Sequence, residues 1–366
     1  MSDSASGTVM ITTGGSGGHA FPGLAVAARL LAKGWNVFWL GTNDGIESRL
    51  VPGHGIDYES IRFAGVRGKG LKRALLGPFA LLAAMWQSFV ILRRRAPDVV
   101  LGLGGFVSFP GSLMAVACNR PLLIHDANAV AGLANRILAY GADRILLGFP
   151  NAMGRRHAGK VEWVGNPLRD DIAAIAPPEQ RFVGRRGTLT LLVVGGSLGA
   201  KVLNERVPAA LALIARAERP LVVHQAGERH IESLRKAYQA AGVEAVCLPF
   251  IDDIARQYAD ADLVLCRGGA LTISELAAAG VGSVIVPLPG AFANEQTHNA
   301  RFLVDAGGAV MVPQSALTPQ ALADLLRNLT RERLLAMAIA ARRVGRTDAS
   351  ERVAEACIAL ARGARS

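Results

Sequence analysis

The sequence predicts an α/β protein built from two doubly wound, Rossmann-like parallel sheets, and three observations support this fold class. Short apolar runs that fit buried strands alternate with longer stretches that fit helices along the whole chain. The 366 residues are long for a single domain but comfortable for two, each with its own core. The two halves of the chain also share a repeated pattern of strand, glycine-rich turn and helix.

The repeated pattern occurs twice in each half. Its first copy reads TVMITTGGSGGHAFPGLAVAARLL, and the mid-chain counterpart reads TLTLLVVGGSLGAKVLNERVPAALALI. The second pair is PDVVLGLGGFVSFPGSLMA at 97–115 and ADLVLCRGGALTISELAAAG at 261–280. Because parallel strands end at one edge of their sheet, each half places two glycine turns where such sheets bind ligands. We expect the two edges to face each other across a ligand-binding cleft.

Twelve segments fit strands. Those of the first half are 8–12, 36–40, 98–102, 121–124, 144–147 and 161–164, and those of the second half are 189–194, 220–224, 244–248, 262–265, 283–286 and 309–312. Gly165, Pro167, Pro177 and Pro178 interrupt the pattern between the halves. We therefore expect an N-terminal domain at 1–166, a C-terminal domain at 167–346 and a final helix at 347–366 that returns to the first domain.

Composition narrows the class of protein. Hydrophobic residues make up 51% of the chain, which excludes a disordered protein, and the net charge of +11 favours anionic partners. The four cysteines form no CxxC pair, so we expect reduced thiols instead of a zinc site or a disulfide framework. The N-terminal segment MSDSASGTVMITTGG lacks the basic and long apolar regions of a secretory signal.

Glycine turns that open helices offer unpaired backbone N–H groups and the positive end of the helix dipole. Three turns fit this description: GGSGGH at 14–19, GGSLGA at 195–200 and RGGALTISE at 267–275. A tight connection without a ligand explains any one of them equally well, but several turns on facing edges favour a nucleotide diphosphate. Neither the dinucleotide nor the P-loop spacing is matched, and Asp260-Ala261-Asp262 precedes its strand, at the opposite edge from the turns.

Glu275 is a candidate ligand for a ribose. It lies in the first turns of the helix that GGALT opens, about one helical turn from a phosphate bound there. The alternative is an ordinary acidic residue that stabilises the helix dipole.

Eight segments together resemble one family, the lipid II-forming N-acetylglucosamine transferases of peptidoglycan synthesis. The resemblance implies transfer of GlcNAc from UDP-GlcNAc to undecaprenyl-diphosphate-MurNAc-pentapeptide, a GT-B fold, an inverting mechanism, and neither an essential metal nor a cofactor. The segments follow one another in this order: GGSGGHAFPGLAVA (14–27), GLGGFVSFPG (102–111), HDANAVAGLANR (125–136), VGNPLR (164–169), GGSLGAKVLN (195–204), FIDDI (250–254), RGGALTISELAAAG (267–280) and NEQTHNA (294–300).

The resemblance also implies which residues contact the donor. The backbone near Ile251 would hold uracil and Glu275 the ribose, and Arg169 would place a positive charge at the leaving group. Gln296, with Asn299, would face the GlcNAc hydroxyls, and Ser197 would meet the diphosphate. The full donor set is Ser16, Gly17, Gly18, Asn128, Arg169, Ser197, Ile251, Ala270, Leu271, Thr272, Ile273, Ser274, Glu275 and Gln296.

On the acceptor side the resemblance implies Gly104, Gly105 and His125. The displacement needs a base for the acceptor hydroxyl, and His19, which follows the first glycine turn, is the first candidate. Asp126 is its rival. This sequence departs from the family here, because HDAN replaces HEQN and GGFVSFPG replaces GGYVSGPG. Ser16 also stands where the family has threonine.

A charge-free segment at 74–92, ALLGPFALLAAMWQSFVIL, is flanked by Arg67, Lys69, Lys72 and Arg73 before it and by Arg93–Arg95 after it. A span across a membrane would disrupt the sheet, so we expect a helix, shortened by Gly77-Pro78, that is partly packed and partly exposed. Its apolar face would contact lipid and its basic flanks an anionic membrane surface, and the alternative is a helix that packs only in the core. The family implies a peripheral protein on the cytoplasmic face of the inner membrane, alongside other cell-wall synthesis and division proteins.

Two alternatives stay open at this point. One is a different GT-B enzyme, such as a lipid glycosyltransferase or a UDP-GlcNAc epimerase-like protein. The other is a basic nucleotide- or RNA-binding protein, although no interleaved basic and aromatic stretch supports nucleic acid as a partner.

Overall fold

The computed structural model describes residues 7–14, 17–63, 71–196 and 199–364. The chain divides into two compact units. Unit 1 combines Met1–Arg169 with Thr347–Ser366, and unit 2 is Asp170–Arg346. The division lies at Arg169, against 166 in the sequence-based expectation. Each unit has a parallel sheet and an apolar core of its own.

Unit 1 contains a seven-stranded parallel sheet with the order β3-β2-β1-β4-β5-β6-β7. Along β1, Val9 and Ile11 point into one core layer and Met10 into the other, as the alternation of a strand requires. The strands are β1 Thr8–Thr12, β2 Asn36–Thr42, β3 Asp57–Ile61, β4 Val99–Gly102, β5 Leu122–Asp126, β6 Arg144–Leu147 and β7 Val161–Trp163.

Helices cover both faces of this sheet, because its central strands are buried on both sides. α1 (Gly17–Ala32) and α2 (Glu47–Gly53) share one core layer. The layer on the other face is formed by α3 (Leu71–Arg95), α4 (Ser108–Ala117) and α5 (Leu133–Leu138).

Unit 2 contains a six-stranded parallel sheet with the order β10-β9-β8-β11-β12-β13. This is the order of the first six strands of unit 1, so the repeated sequence pattern reflects a repeated topology. The strands are β8 Thr190–Val194, β9 Leu221–Gln225, β10 Val246–Leu248, β11 Leu263–Cys266, β12 Ser283–Ile285 and β13 Ala309–Met311.

The helices of unit 2 begin and end at residues suited to those positions. The side chains of Asp253, Thr318 and Thr330 accept backbone N–H groups at three helix starts. Gly242 and Gly280 end two helices in the left-handed conformation. The helices are α6 Asp170–Ala173, α7 Pro178–Arg181, α8 Lys201–Ala212, α9 Ile231–Ala241, α10 Ile254–Asp260, α11 Ala270–Ala279, α12 Glu295–Asp305, α13 Pro319–Arg327 and α14 Arg331–Val344.

The last helix, α15 (Ala349–Gly363), belongs to unit 1. Val353 and Cys357 are fully buried in the core layer that α1 and α2 form. Lys33, just after α1, and Glu351 form an ion pair at 2.5 Å, and the Ser350 hydroxyl donates to the carbonyl of Leu168. The end of the chain therefore completes the core of unit 1.

Two features differ from the sequence-based expectations. All twelve expected strands are present, but β3 was missed because its sequence, DYESI, is polar and only Ile61 is buried. β3 is an edge strand, and edge strands need few apolar side chains. The expectation that Gly77-Pro78 shortens α3 is wrong, since the helix runs through Pro78. Pro78 is exposed, and later turns such as Ile91 and Leu92 anchor the helix in the core.

Candidate active site

The two glycine turns of unit 1 pack backbone against backbone. The Thr13 hydroxyl donates to the carbonyl of Gly104 at 3.2 Å. Gly105 has a φ of +80°, and a Cβ added there would lie 2.8 Å from the carbonyl oxygen of Gly14. Only glycine combines that conformation with such a close approach. The described residues Thr13 and Gly14, after β1, therefore form one continuous surface with Gly104 and Gly105, after β4.

His19 lies in the first turn of α1, beside this surface, and is half-buried. A Cβ added at Gly104 would lie 3.9 Å from His19 Nε2. Burial lowers the pKa of His19 below its ordinary value, although the nearby Glu47 carboxylate opposes the shift. The imidazole is therefore neutral at pH 7 and able to accept a proton.

Glu47 lies beneath the first glycine turn, at the start of α2, and is fully buried. Its Oε1 accepts the backbone N–H of Thr42 at 3.4 Å and the Thr42 hydroxyl at 3.2 Å. A Cβ added at Gly14 would lie 2.2 Å from the same oxygen. The carboxylate therefore rests directly against the backbone at Gly14, and a larger residue there would require the Glu47 side chain to shift.

Asp126 ends β5 and organises the loop that follows. Its Oδ1 accepts the N–H of Asn128, and its Oδ2 accepts the N–H of Gly132 and the amide of Asn135, at 2.9–3.1 Å. The side chain is only 3% exposed. Burial raises its pKa, and these hydrogen bonds, led by that of Asn135, oppose the shift. The carboxylate thus closes the loop at 127–132.

The same loop is held from its other side. His125 is buried, and its Nε2 lies 2.9 Å from the carbonyl of Gly165, so that nitrogen is the one that donates. Burial is the main cause that lowers the pKa of His125 to about 4, so the ring is neutral. The amide of Asn166 donates to the carbonyl of Ala127 at 3.0 Å.

Arg169 ends unit 1. Its guanidinium lies over the ring of Phe21 on α1, 5.8 Å from the centroid, a distance within the range of a cation–π contact. The contact holds the positive charge next to the helix that carries His19.

In unit 2, α11 presents its N-terminus after the turn at Gly268-Gly269. Its first residue is Ala270, and no side-chain hydrogen bond caps it. Its first N–H groups therefore point to the carboxyl edge of the sheet, where they can bind an anion. Ile273 and Ser274 are buried, whereas Ala270–Thr272 are half-buried at the surface of the turn.

Glu275 lies on α11 and is half-buried. Its Oε2 accepts a hydrogen bond from the Tyr258 hydroxyl of α10 at 3.0 Å. Burial and the nearby Glu275 carboxylate raise the pKa of the Cys266 thiol to about 12. Ile251, which follows β10, is buried.

Gln296 and Asn299 of α12 hold the turn before α11. Gln296 Oε1 accepts the N–H groups of Gly268 and Leu288 at 3.2 and 2.9 Å. Asn299 Nδ2 donates to the carbonyl of Gly268 at 3.1 Å. With Oε1 holding the backbone, Gln296 has its amide N–H groups to offer a ligand.

Arg267 supplies a positive charge in the same turn. It donates to the carbonyl of Val286 at 3.1 Å and to the Gln314 side chain at 2.8 Å. Burial lowers its pKa, but an arginine remains charged at neutral pH. The turn therefore combines helix N–H groups with a fixed cation, which suits a diphosphate.

Comparisons with known proteins identify the family of each half of the chain. Residues 9–147 match the glycosyltransferase family 28 N-terminal domain, and residues 190–353 match the family 28 C-terminal domain. The UDP-N-acetylglucosamine–N-acetylmuramyl-(pentapeptide) pyrophosphoryl-undecaprenol N-acetylglucosamine transferase of Aromatoleum aromaticum is 54% identical, over 97% of this chain and 98% of that protein. The protein of the same name from Dechloromonas aromatica is 53% identical, over 97% and 99%.

The chain belongs to this N-acetylglucosamine transferase family. A crystal structure of Acinetobacter baumannii MurG is also similar, with a TM-score of 0.83 and 37% identity over 96% of this chain and 99% of that one. The predicted GT-B fold, with two Rossmann-like parallel-sheet domains, is confirmed. The nearly full-length identity favours this family over the other GT-B enzymes and the RNA-binding protein considered from sequence.

The family's expected site residues fall into two groups. Those in unit 1 are Gly17, Gly18, His19, Gly104, Gly105, His125, Asp126, Asn128 and Arg169, and those in unit 2 are Ile251, Ala270–Glu275 and Gln296. Ser16 and Ser197 lie outside the described residues. Within the described ranges, no group of His, Cys, Asp or Glu side chains could hold a metal ion. Asp262 instead pairs with Arg185 and Arg331, at 2.7 and 3.3 Å.

Sequence reasoning missed several residues of this site. Asn135 lies in the family segment at 125–136 and could have been found there. Glu47 looks like an ordinary acidic residue at a helix start, and Tyr258 looks like a core aromatic. Arg267 precedes the glycines of its turn, yet only the structure shows which groups it contacts.

Proposed function

We propose that the chain transfers GlcNAc from UDP-GlcNAc to the 4-hydroxyl of MurNAc in undecaprenyl-diphosphate-MurNAc-pentapeptide, the step from lipid I to lipid II in peptidoglycan synthesis. The observation that carries the proposal is the α11 N-terminus with Glu275 beside it, in a chain that matches the family over nearly its full length. The family fixes the reaction, and the turn supplies a place for a nucleotide diphosphate.

The donor is assigned to unit 2. The N–H groups of Ala270–Thr272 and the charge of Arg267 bind the diphosphate, and Glu275 accepts hydrogen bonds from the ribose hydroxyls. The backbone at Ile251 contacts uracil. Gln296 donates from its amide to the GlcNAc hydroxyls, since its oxygen already holds Gly268 and Leu288. The donor set proposed from the family is completed by Ser197, Ile273 and Ser274 in unit 2 and by Ser16, Gly17, Gly18, Asn128 and Arg169 in unit 1.

The acceptor hydroxyl attacks the anomeric carbon, and the bond from that carbon to the diphosphate oxygen breaks with inversion. The hydroxyl proton passes to a base, and the electron pair of the broken bond leaves with UDP. The helix N-terminus and the charges of Arg267 and Arg169 stabilise the UDP anion as it departs.

His19 is assigned as the base. Its pKa lies below the ordinary value, so the ring is neutral and accepts a proton at pH 7. Asp126 is less suited to this role, because its two oxygens already accept three hydrogen bonds that close the loop at 127–132. We assign Gly104, Gly105 and His125 to the acceptor, while Asn128 of that loop stays with the donor.

The proposed membrane surface is the outer face of α3. Phe79, Leu82, Trp86 and Val90 are 70%, 60%, 67% and 44% exposed, and their spacing places them on one side of the helix. Trp86 stacks on Phe89, with ring centroids 5.6 Å apart. An exposed apolar stripe of this kind is typical of a helix that lies in a lipid interface.

Basic residues follow the stripe at the end of α3. Arg94 pairs with Glu59 at 2.7 Å and Arg95 with Asp57 at 2.5 Å, which reduces the charge that these two residues offer to lipid. Among the described residues, no helix has both the length and the apolar character that crossing a bilayer requires. From the family and the exposed apolar stripe of α3, we propose peripheral attachment to the cytoplasmic face of the inner membrane, with apolar contact as the main contribution.

The test of the function is transfer of labelled GlcNAc. Purified protein is given UDP-[14C]GlcNAc and a polyprenyl-diphosphate-MurNAc-pentapeptide, and the labelled lipid is separated and counted. We expect one GlcNAc per acceptor and no product from an acceptor whose MurNAc 4-hydroxyl is methylated. Transfer to diacylglycerol instead, or an RNA gel shift without any transfer, would refute the proposal.

A further inference from the structure

Tyr258 of α10 contacts the residue that we assign to the ribose. Its side chain is only 1% exposed, and its hydroxyl donates to Glu275 Oε2 at 3.0 Å. A buried tyrosine needs a partner for its hydroxyl, and many partners in a core would serve. Here the partner is a carboxylate, so the hydrogen bond also fixes one of its two oxygens.

A second contact fixes the two helices relative to each other. The guanidinium of Arg181, on α7, donates to the carbonyls of Tyr258 and Ala259 at the end of α10, at 3.2 and 3.1 Å. It also donates to the carbonyls of Ala279 and Gly280 at the end of α11. One side chain therefore ties together the helices that carry the phenol and the carboxylate.

The carboxylate needs such support because glutamate has three rotatable side-chain bonds and Glu275 is only half-buried. A carboxylate that accepts from two neighbouring ribose hydroxyls must hold one orientation, and each freely rotating bond reduces the fraction of time spent there. The Tyr258 hydrogen bond selects an orientation before the nucleotide arrives.

We propose that Tyr258 is a positioning residue that sets the preference for a ribonucleotide donor by holding the Glu275 carboxylate. This inference rests on the proposed function, in which Glu275 binds the ribose. Tyr258 itself contacts the carboxylate and not the substrate. Removing its hydroxyl therefore weakens recognition of the sugar ring of the nucleotide and leaves the chemical step unchanged.

The test compares UDP with 2′-deoxy-UDP, which lacks one hydroxyl assigned to Glu275. Dissociation constants for both are measured by calorimetry on the full chain, for wild type, Tyr258→Phe and Glu275→Ala. Hydrogen bonds to charged groups contribute more free energy than those between neutral groups. We therefore expect Tyr258→Phe to lower the preference for UDP over 2′-deoxy-UDP about five- to tenfold. Binding of 2′-deoxy-UDP, which keeps one of the two hydroxyls, weakens less than binding of UDP, and KM for UDP-GlcNAc rises without a change in kcat.

Tyr238→Phe is the matched control. Tyr238 is also a buried tyrosine of unit 2, and its hydroxyl bonds to His224 Nδ1 at 2.9 Å instead of to Glu275. This variant also loses one buried tyrosine hydroxyl, yet we expect it to keep the wild-type preference for UDP. A loss of preference in Tyr258→Phe alone would support the inference.

The outcomes separate this inference from the proposed function. If Glu275→Ala abolishes the preference but Tyr258→Phe keeps it, the positioning role is wrong and the ribose assignment stands. If Tyr258→Phe weakens both nucleotides equally, Tyr258 only supports the fold of α10, and the inference is again overturned. If Glu275→Ala keeps the preference, the ribose assignment itself fails.

Discussion

Replacing Gly105 with alanine tests the packing of the two glycine turns beside His19. At a φ of +80° an alanine costs about 1–2 kcal/mol relative to glycine. The added Cβ would also lie 2.8 Å from the Gly14 carbonyl oxygen, which is backbone and cannot rotate away. Such overpacking adds about 1–3 kcal/mol, so we expect a total loss of about 2–5 kcal/mol in the free energy of unfolding of unit 1.

Gly34→Ala provides the matched control. Gly34 follows α1 with a φ of +77°, and a Cβ added there would meet no atom within 4 Å. This variant carries the conformational cost alone, about 1–2 kcal/mol. The difference between the two variants therefore measures the close approach of the turns.

Tryptophan fluorescence suits the measurement, because all four tryptophans, Trp35, Trp39, Trp86 and Trp163, lie in unit 1. Urea unfolding followed at this signal reports unit 1, and UDP binding checks that unit 2 is intact. We expect Gly105→Ala also to lower turnover, since the displaced turn borders His19, whereas Gly34→Ala leaves turnover unchanged. Equal destabilisation by the two substitutions would refute the argument that the turns pack backbone against backbone.

Three further predictions follow from the site and the membrane surface. His19→Ala should reduce kcat by about 10²–10⁴-fold while leaving the dissociation constant of UDP-GlcNAc nearly unchanged. Because a base must be deprotonated, kcat/KM of the wild type should fall as the pH drops through the lowered pKa of His19, which lies below 6.5. This decrease at acidic pH should be absent from the variant. A decrease that begins at higher pH, or one that persists in the variant, would count against the assignment of His19 as the base. In Asp126→Asn, either orientation of the amide places its NH2 group against a backbone N–H, so the free energy of unfolding should fall by about 1–3 kcal/mol. An unchanged urea midpoint would contradict the role of Asp126 in closing the loop. Replacing both Phe79 and Trp86 with serine should reduce binding to liposomes at least tenfold, because each apolar side chain contributes about 1.5–3 kcal/mol when buried; binding that depends instead on anionic lipid and salt alone would exclude the apolar stripe.

Much of the fold could be predicted because the apolar runs of buried parallel strands are visible without any structure. One residue separates each of β1, β4 and β11 from the glycine turn that follows it, and this turn marks where the strand stops. β3 was not predicted because it is an edge strand that faces water and carries no apolar run. α3 was predicted to be shorter than it is, because the effect of Pro78 on the helix depends on the packing of its later turns.

The candidate site was predictable where backbone makes the contact and less so where side chains cooperate. The N-terminus of α11 follows from its glycines alone. Asp126, in contrast, looked like a rival base until its three hydrogen-bond donors were located. Glu47 lies against Gly14, which is distant from it in the sequence, and Tyr258 bonds to Glu275 on another helix. Only the folded chain shows these two contacts.

The two units show how one topology serves two different tasks. A glycine turn follows β1 and β4 in unit 1 and β8 and β11 in unit 2, yet different side chains contact the turns of the two units. In unit 1 the buried Glu47 and the imidazole of His19 border the glycines, which suits proton transfer. In unit 2 the neutral amides of Gln296 and Asn299 brace the turn, and the exposed functions are helix N–H groups and a fixed arginine. Glycine makes each turn open to a ligand, and the charge behind it decides whether the turn suits proton transfer or anion binding.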